Sequence, residues 1–87
     1  MKIKEGFLLR NVAGNNVVVP IGQATLDFNG MMSLNDTGAF LFSKMIEGTT
    51  REQLIEELIS EYGIDEQLAQ KDVDTFIQKV EGEDLFE

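Results

Sequence analysis

Between Leu34 and Asn35 the hydrophobic pattern changes period, and this limits the chain to a small sheet followed by helices. Before that point the apolar residues come in short β-branched and aliphatic runs, 7–13 and 16–21, separated by Gly14-Asn15. Two such runs around a two-residue turn predict a β-hairpin. A Gly-Asn loop fits a type II′ turn, because Gly supplies the positive φ required at the first central position. Pro20 cannot donate to a ladder and is expected at a strand end or an edge. Gly22-Gln23-Ala24-Thr25 is turn-like, and Leu26-Asp27-Phe28 suits either a helical turn or the start of a strand. Gly30 permits a bend, after which 31–34 predicts a third strand.

From Asn35 the signals are helical and well punctuated. Asn35 is a good N-cap, and Asp36 places a negative charge in the first turn, where the helix dipole favours it. Ala39, Phe42, Met45 and Ile46 predict one apolar face, widened by Phe40 and Leu41, with Gly48 ending the helix in a left-handed conformation. Thr50 to Gln53 matches a capping box. Leu54, Ile55, Leu58, Ile59 and Tyr62 then form a stripe closed by Gly63. Asp65 caps a third helix with Ala69, Val73, Phe76, Ile77 and Val80 on its apolar face, ending at Gly82. Each helix is too short to persist alone, so the three must bury their stripes against one another and the sheet. The expectation is a single α+β domain over residues 1–87. The acidic end, 81–87, has two readings: it frays, or Leu85 and Phe86 dock it on the core.

Composition restricts the chemistry. The chain lacks both His and Cys, and with them the commonest general base, the best nucleophile and the usual transition-metal ligands. Neither a Ca-loop spacing nor a Gly-rich phosphate loop occurs. The carboxylate clusters Glu56-Glu57 and Asp72/Asp74 read as solvated faces rather than acid–base pairs. No catalytic residue, metal site or cofactor is therefore expected.

Charge narrows the partners. Residues 1–34 hold Lys2, Lys4 and Arg10 against Glu5 and Asp27, whereas the rest holds four bases against fourteen acids, and the whole chain carries −9. Such a surface repels phosphate, which argues against nucleic acid and acidic lipid headgroups. A winged helix that binds DNA would put the acids of the third helix against the backbone. A carrier protein would need its attachment Ser at a helix start, whereas Ser33-Leu34 precedes the cap. No apolar run reaches membrane-spanning length and no signal peptide is apparent, so a cytoplasmic protein is expected.

The stretch Leu34-Asn35-Asp36-Thr37-Gly38-Ala39, the turn Glu47-Gly48-Thr49-Thr50 and the segment Asp72-Val73-Asp74-Thr75-Phe76-Ile77 together resemble the PqqD-like family. Val17-Val18-Val19-Pro20 and Phe28-Asn29-Gly30 are similar to its stand-alone members. Phe42 stands where the family often has Trp, and Glu83-Asp84-Leu85-Phe86 replaces its usual Gly-Leu ending. The resemblance implies a winged helix-turn-helix-like fold: a three-stranded antiparallel sheet, then three helices. It implies non-catalytic binding of the leader segment of a ribosomally made precursor peptide, presented to a modifying enzyme, often a radical S-adenosylmethionine protein. In that family the leader adds to the third strand and lies against the third helix.

Carried onto this chain, the peptide-binding residues are Gly30, Met31, Met32, Ser33 and Leu34, with Asp72, Val73, Phe76, Ile77 and Lys79 on the other wall. The short uncharged edge and its adaptable methionines suit strand addition, and Lys79 can pair with an acidic leader residue. Ordinary core packing also accounts for Met32, Leu34, Val73, Phe76, Ile77 and Val80, and one residue can serve both ends. The competing binding role is that of an acidic protein-interaction adaptor.

Overall fold

The computed structural model describes residues 1–27 and 30–87. Strands β1 (Phe7–Val12) and β2 (Asn15–Pro20) form an antiparallel hairpin; a short helix α1 (Ala24–Asp27) follows, then β3 (Met32–Leu34). Helices α2 (Asp36–Glu47), α3 (Arg51–Tyr62) and α4 (Glu66–Gly82) complete the chain, so the third helix expected from the sequence is α4. The sheet order is β1-β2-β3, antiparallel throughout. Of the ambiguous segment 22–29, Ala24–Asp27 resolves as the helical turn, while Phe28 and Asn29 lie outside the described residues.

The hairpin turn differs from expectation by one residue. Val12 pairs with Asn15, so Ala13 and Gly14 occupy the turn, with φ of 53° and 84°. Positive φ at both central positions is the type I′ arrangement, whose twist matches the strands. The Asn11 side-chain oxygen accepts from the Gly14 amide at 3.2 Å, a local bond that compensates for placing Ala13 in the left-handed region. Pro20 ends β2 opposite Phe7.

Helix α2 buries Gly38, Leu41, Phe42 and Met45, leaving Ala39 and Ile46 half-buried. The face is thus turned one residue from the expected one, because Gly38 lets the neighbouring helix approach on that side. Its cap forms as expected: Asn35 Oδ1 accepts from Gly38 N at 2.7 Å. Gly48 has a positive φ of 102°, but its ψ of 131° lies outside the left-handed helical basin, so it ends the helix in a conformation open mainly to glycine. Thr50 accepts from Gln53 N at 3.2 Å, making half the capping box; Gln53 Oε1 instead accepts from the Thr49 hydroxyl, also at 3.2 Å. Gly63 is left-handed at the end of α3, and Tyr62 is exposed rather than part of the buried stripe. Asp65 caps α4 by accepting from Leu68 N at 2.8 Å.

One core joins sheet and helices. Val18, Met32 and Leu34 from the sheet meet Leu41, Phe42 and Met45 of α2, Leu54 and Leu58 of α3, and Val73, Phe76 and Val80 of α4. The chain ends close over it. Ile3 and Leu85 are buried, Ile3 bridges Phe86, and Lys4 N donates to Leu85 O at 2.8 Å. The acidic tail is therefore docked rather than frayed. Arg51 and Asp74 join α3 to α4 through two hydrogen bonds of 2.6 and 3.0 Å. Asp74 is held below the usual carboxylate range by the Arg51 hydrogen bond, which in turn raises the guanidinium.

Candidate functional site: an open strand edge beside a helix

The register of the sheet fixes which backbone groups face outward. Ile21 N donates to Gly6 O at 2.7 Å, and antiparallel pairs alternate between bonded and non-bonded. Counting from that bond, Leu8↔Val19 and Arg10↔Val17 exchange hydrogen bonds, while Leu9↔Val18 and Asn11↔Asn16 do not. Val18 and Asn16 therefore turn their amides and carbonyls toward β3, where they meet Met32 and Leu34. Ser33, opposite Val17, points its N–H and C=O away from β2. Side chains follow the same alternation: Met32 and Leu34 are buried in the core, and Ser33 is exposed on the outer face.

Beyond this edge lies a groove of about 330 Å³, lined by residues of β3, α2 and α4. Its apolar wall is Leu34, Leu41 and Phe76; Asp72 and Lys79 supply its charges; Asn35, Thr37, Gly38 and Thr75 complete it. Lys79 Nζ donates to the Ser33 carbonyl at 3.4 Å, linking helix and strand across the groove. Asn16 Nδ2 donates to Asp36 Oδ1 at 3.0 Å, which fixes the start of α2 against the sheet.

Gly38 explains how α2 and α4 come so close at this point of the groove. A Cβ on Gly38 would stand 3.2 Å from Phe76 Cε1 and 3.1 Å from the capping Asn35 Oδ1. The Leu-Asn-x-Thr-Gly run thus combines a core residue, a cap and a close approach between α2 and α4.

Of the ten residues expected at the site, Leu34, Asp72, Phe76 and Lys79 line the groove and Ser33 presents its backbone beside it. Met32 is buried and contributes to the edge only as part of its strand. Gly30 forms a bend at φ 102°, and Met31 precedes the strand with its side chain 68% exposed. Val73 is wholly buried, on the inner stripe with Ala69 and Val80, and does not line the groove. Ile77 is half-buried against the core and does not line the groove.

The expected set left out Asn35, Thr37, Gly38, Leu41 and Thr75. The signal for one wall was present, since 72, 75, 76 and 79 follow the i, i+3, i+4, i+7 spacing of a helix face. That stripe adjoins the core stripe, and Phe76 belongs to both.

Among the described residues no group of three acidic side chains converges to hold a metal, and no helix is long and apolar enough to cross a membrane. Ser33 sits in the middle of a strand, not at the helix start that a prosthetic-group attachment site requires.

A three-stranded antiparallel sheet with an open edge strand, followed by helices that wall a groove beside it, makes this an α+β domain of the winged helix-turn-helix-like kind. The chain belongs to the PqqD family: the family model described as coenzyme PQQ synthesis protein D (PqqD) matches residues 17–85. No curated protein matches significantly. Two solved structures share the fold. One is TbiB1 in complex with the TbiA(beta) leader peptide, 20% identical with a TM-score of 0.76, covering 100% of this chain and 95% of that one. The other is lasso peptide synthetase B1 complexed with the leader peptide, 16% identical with a TM-score of 0.70, covering 93% and 89%.

Proposed function

We propose that this protein binds the leader segment of a ribosomally made precursor peptide by strand addition to β3 and presents it to a modifying enzyme. The observation that carries the reading is the outward-facing Ser33 backbone standing beside the groove under α4. An extended peptide can pair with Ser33 while alternate side chains enter the groove. Backbone pairing gives affinity for many sequences, and the groove adds selectivity. Membership of the PqqD family and two neighbours solved with leader peptides support the same role.

The role is binding rather than catalysis. The strand wall is Gly30, Met31, Met32, Ser33 and Leu34; the helix wall is Asp72, Phe76 and Lys79, with Val73 and Ile77 supporting it from below and beside. The partner enzyme in this reading is a radical S-adenosylmethionine protein, acting in the cytoplasm where the precursor is made.

The test is a titration with leader peptides of precursors encoded beside the gene, following backbone amide shifts. Binding with a dissociation constant on the order of a micromolar or tighter, with shifts concentrated at 31–34 and along α4, is expected. Shifts confined to other surfaces would remove the assigned site.

A further inference from the structure

The open edge of β3 is not bare. Ser33 is the position at which an added strand must pair, and its carbonyl is already met by Lys79 Nζ at 3.4 Å. The ammonium stands where the amide of an incoming strand has to arrive. Lys79 belongs to none of the carboxylate ion pairs among the described residues, which leaves its charge without a strong partner. It is also the cation among the groove-lining residues. Asp72, the anion, lies seven residues earlier, about 10 Å along the helix.

We propose that Lys79 guards the strand edge and thereby selects leaders carrying an acidic residue at the position that displaces it. The proposal rests on the strand-addition reading above and deepens it. A neutral strand must take the ammonium off Ser33 and return it to water without replacement. A strand with a carboxylate on its groove side gives the same ammonium a partner charged as well as hydrogen-bonding, in place of the neutral Ser33 carbonyl it gives up. The exchange then favours binding. The existing bond is long and exposed, so the guard yields readily to such a partner.

The groove also sets what accompanies the acid. Side chains on one face of an extended peptide recur every second residue, about 6.6–6.8 Å. Phe76 precedes Lys79 by three residues, about 4.5 Å along α4. With the acid at Lys79, the residue two positions away lies against the Leu34, Leu41 and Phe76 wall and should be apolar. The remaining surface is acidic after Leu34, so the preference for an acid is local to Lys79 and opposed elsewhere. The same guard protects the free domain, because two β3 edges cannot pair without enclosing a lysine from each copy.

The test pans a displayed library of random peptides, about twelve residues long, against the intact protein and its Lys79→Glu and Lys79→Met variants. Lys79 is exposed, so both variants should fold as the parent does. Wild-type protein should enrich Asp or Glu at one position with an apolar residue two places away. Lys79→Glu should enrich Lys or Arg at that position, and Lys79→Met should show no charge preference there. Replacing the acid of a selected peptide by Ala should weaken wild-type binding about tenfold and leave Lys79→Met unchanged. An acid preference common to all three proteins, or none in the wild type, overturns the guard. If no peptide is enriched, or selected peptides shift amides only away from 31–34, strand addition itself fails and the guard fails with it.

Discussion

The sheet has two outer strands, and they are unlike. β1 is six residues long, and the segment before it is pinned by the C-terminal tail through Ile3, Lys4 and Leu85. β3 is only three residues long, but its outer side fronts the groove walled by α4. A longer edge offers more backbone groups, yet an edge without a wall offers an added strand nothing for its side chains. In the strand-addition reading, receptivity at β3 comes from the helix beside the strand, not from the strand's length. The two sides also differ in what meets them: the tail holds the segment leading into β1, and Lys79 donates to the Ser33 carbonyl of β3.

The strongest perturbation should separate stability from binding. Leu85→Ala removes a wholly buried side chain that holds the chain end near β1. We expect a loss of about 2–5 kcal/mol in denaturant unfolding, with peptide affinity of the folded fraction unchanged. A matching loss of affinity would mean that the two sides of the sheet are coupled.

Proline substitution compares the edges directly. Ser33→Pro removes the outward amide of β3 and should weaken peptide binding about a hundredfold, roughly 2.7 kcal/mol. Asn11→Pro removes an outward amide of β1 and should leave affinity within about twofold, although losing the Asn11 bond to Gly14 lowers stability. Equal losses from the two prolines, read by calorimetric titration, would break the contrast.

Gly38→Ala addresses the wall. The added methyl presses on Phe76 and on the Asn35 cap, while alanine gains helix propensity over glycine by about 1 kcal/mol. Melting temperature should move little, and peptide affinity should fall several-fold as Phe76 is displaced. Unchanged affinity would show that the close approach of α2 and α4 does not shape the groove.

The smallest effect concerns how α4 is held. Asp74→Asn loses the charge-assisted pair with Arg51 on an exposed surface and should lower stability only slightly at neutral pH. Asp74 has a depressed folded-state pKa, so its contribution is present above the ordinary carboxylate pKa of about 4 and disappears as pH falls through the lowered value. The stability gap between wild type and Asp74→Asn should therefore close in acid. A gap that persists there would assign the effect to packing instead of charge.

Much of this was legible before any coordinates. The caps Asn35, Thr50 and Asp65, the apolar stripes of α3 and α4 and the helix stop at Gly63 follow from local rules, because capping and helical periodicity depend on residues within one or two turns. The misreadings arose where distant residues intervene. The turn shifted to Ala13-Gly14 because the cross-strand register and Asn11 settle it. The face of α2 rotated because α4 packs against Gly38. Family resemblance assigns Val73 to the groove wall and periodicity assigns it to the core, and the packing of α4 puts its side chain in the core.

By itself, then, the sequence determined a short sheet followed by three capped amphipathic helices, without the residues that catalysis usually employs. Periodicity, capping and composition are local properties, and the chain states them outright. Tertiary structure alone decided that Ser33 faces outward, that the groove opens between α2 and α4, and that Lys79 lies across the strand edge. Those facts depend on register and on the approach of Phe76 to Gly38, contacts between residues far apart in the chain whose geometry no local rule fixes.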